Sequence, residues 1–254
     1  MRRCRVRFRY VSTVAACFAV VGTAACGGSS ANASQSIRVA APASMARVMQ
    51  LLVRSFEAGR DIDVETTVGG SSLLARQVIG GAPVDVLLTA DGASMDIARR
   101  ARAVEEPVPV ASNRAVVVVS DDARVPISAT RDLARPGLVV VVCAPQAACG
   151  AVAERVLEQA GVDAENFARE PDVNAVMTRV RLGEADAGVA YATDARGAGG
   201  LRVVDVSPAV TTTYFAAVVR ERPQRSRSAS IAWLAFLRSE PARAVLARAG
   251  FGRP

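Results

Sequence analysis

The chain has 254 residues, with 31 Lys plus Arg against 24 Asp plus Glu, and it contains neither His nor Lys. A Ser-His-Asp triad, a Cys-His pair, a His-ligated zinc and any catalytic or Schiff-base lysine are therefore excluded, while the length allows one large or two modest domains with a substantial core. The net charge of +7 is concentrated in Arg2, Arg3, Arg5, Arg7 and Arg9, and from residue 26 onward 26 Arg face 24 carboxylates, a near balance that gives no case for a nucleic-acid partner.

After the basic start, Val11 to Val21 is a short, mostly apolar run closed by Gly22-Thr23-Ala24-Ala25 and followed by Cys26-Gly27-Gly28-Ser29-Ser30. Such a run is shorter than the ~18 apolar residues expected of a membrane-spanning helix, so residues 1–25 read as an export signal. Cys26 stands directly after small residues, as in the processing box of bacterial lipoproteins, and would become the lipidated first residue. Thr23 occupies a place where that box usually has Leu or Val; simple secretion with an unmodified Cys26 is the alternative. Residues 26–36 are polar and flexible enough to act as a tether.

The mature chain alternates between two periods. Ser36 to Ala41 reads as a strand, and Met45, Val48, Met49, Leu52 and Phe56 recur at helical spacing after Ser44. Val64 to Val68 is a second strand, Gly69-Gly70 a turn, and Ser71 to Ile79 a helix capped by Ser71 or Ser72. Val84 to Ala90 and Met95 to Ala103 continue the scheme as strand and helix. Ala115 to Ser120 is β-rich, and Leu138 to Val142 is a continuous apolar strand of the kind covered on both faces.

Cys143 and Cys149 come next. Cys4 and Cys17 fall in the signal, so these two form the one candidate disulfide of an exported protein, with two buried thiols as the other reading. Gly150 to Ala160 and Val173 to Leu182 are helices, Ala187 to Ala190 a strand ending in Tyr191, and Val203 to Val206 another strand. Thr213 to Val219 is β-rich, and helices at Ser230 to Leu237 and Pro241 to Ala249 close the chain. This alternation predicts an α/β layered fold with a largely parallel sheet.

Ser44, Ser71 and Cys149 each stand at a strand-to-helix junction, where first-turn N–H groups and the positive end of the helix dipole can face an anion. One Ser at such a place is ordinarily a helix cap. The Gly69-Gly70-Ser71-Ser72 loop adds glycines that let backbone approach a ligand closely.

Several of these segments carry a resemblance. Val39-Ala40-Ala41-Pro42-Ala43-Ser44, Gly70-Ser71-Ser72-Leu73-Leu74-Ala75-Arg76-Gln77, Gly81-Ala82-Pro83-Val84-Asp85-Val86 and Thr89-Ala90-Asp91 resemble the N-terminal half of the periplasmic molybdate-binding proteins of ABC importers. Asp172-Val173, then Gly188-Val189-Ala190-Tyr191-Ala192-Thr193-Asp194, then Ala249-Gly250-Phe251 are similar to the same family in the same order. The resemblance spans about residues 37 to 252.

It implies an α/β, two-lobed periplasmic-binding-protein fold with the ligand cleft between the lobes. Ala115 to Ser120 and Thr213 to Val219 would cross between them, making lobe one residues 37–115 and 216–252 and lobe two residues 116–215. The resemblance also implies a small oxyanion ligand, molybdate or tungstate, rather than a cofactor or a reaction. The oxyanion would be held by the hydroxyls and N–H groups around Ser44 and Ser71, the N–H groups at Cys149 and Val173, and the Tyr191 hydroxyl, with no direct bond to the metal atom. The loop between the cysteines is one residue shorter than the family form, so that donor is Cys149 or its neighbour.

The implied partners are the membrane permease of an ABC importer and, through the lipid, the extracytoplasmic face of the cell membrane, with the protein itself a monomer. The same fold tuned to sulfate, phosphate or iron is the alternative, iron being disfavoured because only Tyr191 and Tyr214 remain beyond the signal. An exported enzyme would need a carboxylate base, and no close carboxylate pair stands out.

Overall fold

The computed structural model describes residues 35–123, 125–220 and 223–254. The expected signal and Cys26 lie outside the described residues. In chain order the elements are β1 (Gln35–Pro42), α1 (Ala46–Glu57), β2 (Ile62–Gly69), α2 (Ser71–Ile79), β3 (Val86–Thr89), α3 (Gly92–Arg100) and β4 (Val108–Ser120). They continue with β5 (Val140–Cys143), α4 (Ala148–Ala160), β6 (Ala168–Glu170), α5 (Val173–Arg181), β7 (Ala187–Tyr191), α6 (Ala192–Ala195), β8 (Leu201–Asp205), β9 (Thr211–Val218), α7 (Gln224–Leu237) and α8 (Glu240–Ala249). Single 3₁₀ turns at Ala43–Met45 and Thr130–Ala134 fill two of the connections.

Local chemistry accounts for these elements. In α1 the buried residues Val48, Met49, Leu52 and Phe56 form one apolar stripe. Strands β3, β5 and β7 are buried at every residue and are correspondingly apolar runs without alternation. Asp91 caps α3 by accepting the Ser94 N–H at 2.8 Å, and Asp172 caps α5 by accepting from the N–H groups of Asn174 and Ala175.

The strands follow the order β2-β1-β3-β9-β4-β7-β5-β6, with β8 also paired to β4. β1 runs parallel to β2 and β3, and β5 parallel to β6 and β7. The expected parallel majority is not found: β9 pairs antiparallel with β3 and β4, and β4 pairs antiparallel with β7 and β8, because these two long strands run back through the middle of the sheet. Residues 108–114 of β4 pair with β9, whereas residues 115–120 pair with β7 and β8. One strand therefore serves two half-sheets.

Each half-sheet has its own core. Ile37, Val39, Leu52, Phe56, Leu88, Trp233 and Phe236 belong to one, where the Phe56 and Trp233 rings meet edge-on at 5.0 Å. The C-terminal helices α7 and α8 supply part of that core, so the end of the chain packs back on its beginning. Val117, Val141, Val156, Val176 and Val189 belong to the other. The molecule is an α/β protein in which one nine-stranded sheet divides into two half-sheets that share β4.

Candidate functional site

Loops from both half-sheets meet at the carboxyl ends of their parallel strands, the place where open α/β sheets take ligands. Pro42 ends β1 and Ala43 and Ser44 follow it, Gly70 and Ser71 follow β2, Ala147 to Cys149 come after β5, and Asp172 with Val173 follows β6. With Ala90 and Tyr191 they line a cavity of about 20 Å³, little more than the space of one water molecule. All five residues expected at an oxyanion site thus line one space.

Each is held differently. Ser44 sits in the 3₁₀ turn ahead of α1, where its Oγ lies 2.7 Å from the Tyr214 hydroxyl. Ser71 is the first residue of α2, and its Oγ accepts the Ala90 N–H at 3.0 Å. The expected Ser71 or Ser72 cap is not made: the N-cap is Gly70 and no side chain caps the helix. Gly70 makes a close approach, since a Cβ there would lie 3.3 Å from the Pro171 carbonyl oxygen and require it to give by a few tenths of an ångström.

Cys149 is the second residue of α4, whose N-cap Ala147 also lacks a side-chain cap, and it is joined to Cys143 by a disulfide with 5.6 Å between Cα atoms. Val173 opens α5. The Asp172 carboxylate is occupied with Asn174 and Ala175, which leaves the Val173 N–H outside the cap. Helix geometry denies these first-turn N–H groups an intrahelical acceptor, and the dipoles of α2, α4 and α5 add positive potential at the same point.

Tyr191, at the end of β7, is 2% exposed, and its hydroxyl has no hydrogen-bond partner among the described residues. Burial pushes the phenol well above its ordinary range, so it is a neutral donor at any physiological pH. A buried hydroxyl without a partner costs about 1–3 kcal/mol, a cost relieved by a ligand oxygen in the cavity. No Arg lines this cavity. Its donors are hydroxyls and backbone N–H, and among the described residues no group of three or more His, Cys, Asp or Glu is placed to hold a metal ion.

Beside Ser44 a wider cleft of about 440 Å³ opens, lined in part by Arg47, Leu51, Asn174, Arg181, Asp194 and Arg196. Two hydrogen bonds cross it: Arg47 donates to the Arg196 carbonyl and Asn174 Nδ2 to the Ala43 carbonyl, both at 3.3 Å. Asp194 Oδ2 is buried with no hydrogen-bond partner among the described residues, and burial raises the pKa of this carboxyl to about 7, against the pull of the Tyr191 backbone N–H and Arg47.

Asn113, Thr193 and Tyr214 also belong to the site region, since Asn113 Nδ2 donates to Thr193 Oγ1 at 2.7 Å and to the Tyr214 hydroxyl at 3.3 Å. Sequence reading noted Tyr214 only as the second tyrosine beyond the signal. Its nearness to Ser44 across 170 positions leaves no local mark in the sequence.

An α/β fold of the periplasmic-binding-protein kind around a small cavity lined by hydroxyls and N–H groups is that of a solute-binding protein, a binding protein rather than an enzyme. Residues 37–252 match the bacterial extracellular solute-binding protein family, to which the chain belongs. The molybdate-binding protein ModA of Mycobacterium tuberculosis (strain ATCC 25618 / H37Rv) is 32% identical over 249 residues, covering 92% of this chain and 94% of that one. Among solved structures, the periplasmic molybdate-binding protein of Azotobacter vinelandii aligns with TM-score 0.74 at 16% identity, over 86% of this chain and 99% of its own. The sulfate-binding protein SubI of M. tuberculosis H37Rv aligns equally well, TM-score 0.74 at 21% identity over 85% and 86% of the two chains. These two likenesses are of fold.

Proposed function

We propose that this protein captures molybdate, with tungstate as a second ligand, outside the cytoplasm and hands it to the permease of an ABC importer. The observation that carries the reading is the Tyr191 hydroxyl, buried without a partner in a cavity where Ser44, Ser71 and the starts of α2, α4 and α5 converge. Support at the level of sequence comes from the 32% identity to a molybdate-binding protein over nearly the whole chain. In this reading Ser44, Ser71 and Tyr191 donate hydroxyl protons, and Cys149 and Val173 donate backbone N–H, to the oxygens of the dianion.

The lobes run through residues 37–115 and 216–252 for the first and 116–215 for the second. Residues 1–25 are the export signal, and Cys26 carries the lipid that holds a monomeric protein at the outer face of the cell membrane. Cys26→Ala then moves the protein from the membrane fraction to the medium; unchanged attachment removes the anchor.

Titration calorimetry with molybdate, tungstate, sulfate and phosphate tests the ligand. In this reading the hydroxyls and N–H groups all donate to the anion and the Asp172 carboxylate is engaged by the Asn174 and Ala175 N–H groups, so the proton of HPO₄²⁻ lacks an acceptor and phosphate binds at least about tenfold more weakly than molybdate. Equal binding of the two overturns the reading, and tight binding of sulfate alone replaces molybdate by sulfate.

A further inference from the structure

We infer that Asn113 is a positioning residue that sets the direction of a buried hydrogen-bond chain ending on Ser44, so that the Ser44 hydroxyl presents its proton, and not a lone pair, to the cavity. The inference rests on Ser44 being an oxyanion donor, and it explains how a hydroxyl, equally able to accept, is committed to donating.

Asn113 lies on β4 and is 4% exposed. Its amide orientation is fixed, because Oδ1 accepts the Arg114 backbone N–H at 2.9 Å while Nδ2 faces Thr193 Oγ1 at 2.7 Å and the Tyr214 oxygen at 3.3 Å. An amide nitrogen only donates. The Tyr214 oxygen therefore accepts from Asn113, and its single proton is directed to Ser44 Oγ, 2.7 Å away. Burial keeps that phenol protonated.

Ser44 Oγ, having accepted from Tyr214, keeps its own proton for the cavity it lines. Ser71 is committed in the same sense by a different device, since its Oγ accepts the Ala90 N–H. Rings hold the chain in place: Tyr214 meets Phe251 edge-on at 5.4 Å, and Tyr191 at 6.3 Å. Donor polarity is thus set from behind the site, on a strand shared by both half-sheets.

Asn113→Asp tests this with little change of shape. The introduced carboxylate only accepts, so Tyr214 turns its proton toward it, Ser44 turns its proton toward Tyr214, and a lone pair then faces the anion. Molybdate and HPO₄²⁻ carry the same charge at pH 8, so the added negative charge weakens both alike. The ratio of their affinities isolates proton direction, because only phosphate has an O–H to give to the lone pair.

The expected result is a fall of at least about tenfold in the molybdate-to-phosphate affinity ratio. Tyr214→Phe, which cuts the chain without reversing it, lowers the ratio by a smaller factor, about threefold, and stands in should Asn113→Asp fail to fold. Ser44→Ala separates the two levels of inference. If Ser44→Ala loses molybdate affinity while the ratio is unchanged in the folded variants, the directed chain is wrong and the site stands. If Ser44→Ala binds molybdate like the wild type, Ser44 is no donor and both fall.

Discussion

At the scale of single residues, polar groups in this protein divide into those fully satisfied by the fold and those left for something else. Tyr191 is in the second class, and its removal should be felt in binding rather than folding. Tyr191→Phe is expected to lose roughly 1.5–3 kcal/mol of molybdate affinity, the worth of a hydrogen bond to a charged group, with little loss of stability because the hydroxyl has no partner among the described residues. Ser71→Ala should lose a similar amount of affinity and also destabilise the apo protein, because the Ala90 N–H loses its acceptor. Calorimetry and urea denaturation on the pair check both halves; wild-type affinity in each would remove the site. Asp194 makes a second case. Its pKa is raised to about 7 by burial, against the pull of Arg47 and with some help from Asp172. The folded state therefore holds a proton that the unfolded chain has released, and stability falls as pH rises from about 4 to about 7, then stays lower. Asp194→Asn should match the wild type near pH 4 and exceed it at pH 8 by a few kcal/mol, read as a higher Tm and a flatter pH profile. An identical pH profile in the variant would refute that assignment.

At the scale of elements, the features that sequence makes legible are those written in neighbouring residues. Apolar periodicity marks α1, and unbroken apolar runs mark β3, β5 and β7, because one buried face or two leave a period of 3.6 or none. The first half of β4 was not legible: Val108 to Arg114 carries a Pro and three polar or charged residues, and its register shifts between Pro109 and Ala111. β6 spans three residues and has no pattern to show. At the candidate site, Ser44, Ser71 and Cys149 are legible as strand-to-helix junctions, whereas Val173 and Tyr191 are legible only through the family resemblance. Asn113, Thr193 and Tyr214 are not legible as site residues, since their meaning lies in contacts between segments 80 to 170 positions apart. The start of α4 shows how narrowly one such loop is fitted. A Cβ on Gly150 would stand 1.9 Å from the Ala144 carbonyl oxygen, which is backbone and cannot swing aside. Gly150→Ala should therefore push α4 away from the turn that follows Cys143, with a stability loss of about 1–3 kcal/mol and weaker molybdate binding as the Cys149 N–H shifts. Denaturation midpoints and calorimetry read the two effects, and a neutral result in both would mean that the turn gives way easily.

At the scale of the whole molecule, the proposed donors are divided between two half-sheets. Ser44 and Ser71 belong to loops of the half-sheet that contains β1 and β2, whereas Cys149, Val173 and Tyr191 belong to loops of the half-sheet that contains β5 and β7. Neither set surrounds an anion alone, so a ligand that needs both must favour the closed arrangement, by as much as its affinity for the two arrangements differs. Two hydrogen bonds cross the wider cleft, Arg47 to the Arg196 carbonyl and Asn174 to the Ala43 carbonyl. Neither Arg47 nor Asn174 lines the small cavity, and both bonds would be broken in an opened cleft. Arg47→Ala and Asn174→Ala should thus leave the number of anion donors unchanged and weaken binding by favouring opening, about 0.5–1.5 kcal/mol each. The loss should fall mainly on dissociation, because a bound anion leaves only when the cleft opens. Stopped-flow exchange of molybdate measures the rates, and small-angle scattering with and without molybdate measures compaction. Saturating molybdate should return both variants to the radius of gyration of the liganded wild type. An unchanged dissociation rate in both, or an equal slowing of association with no change in compaction, would show that these contacts do not latch the cleft.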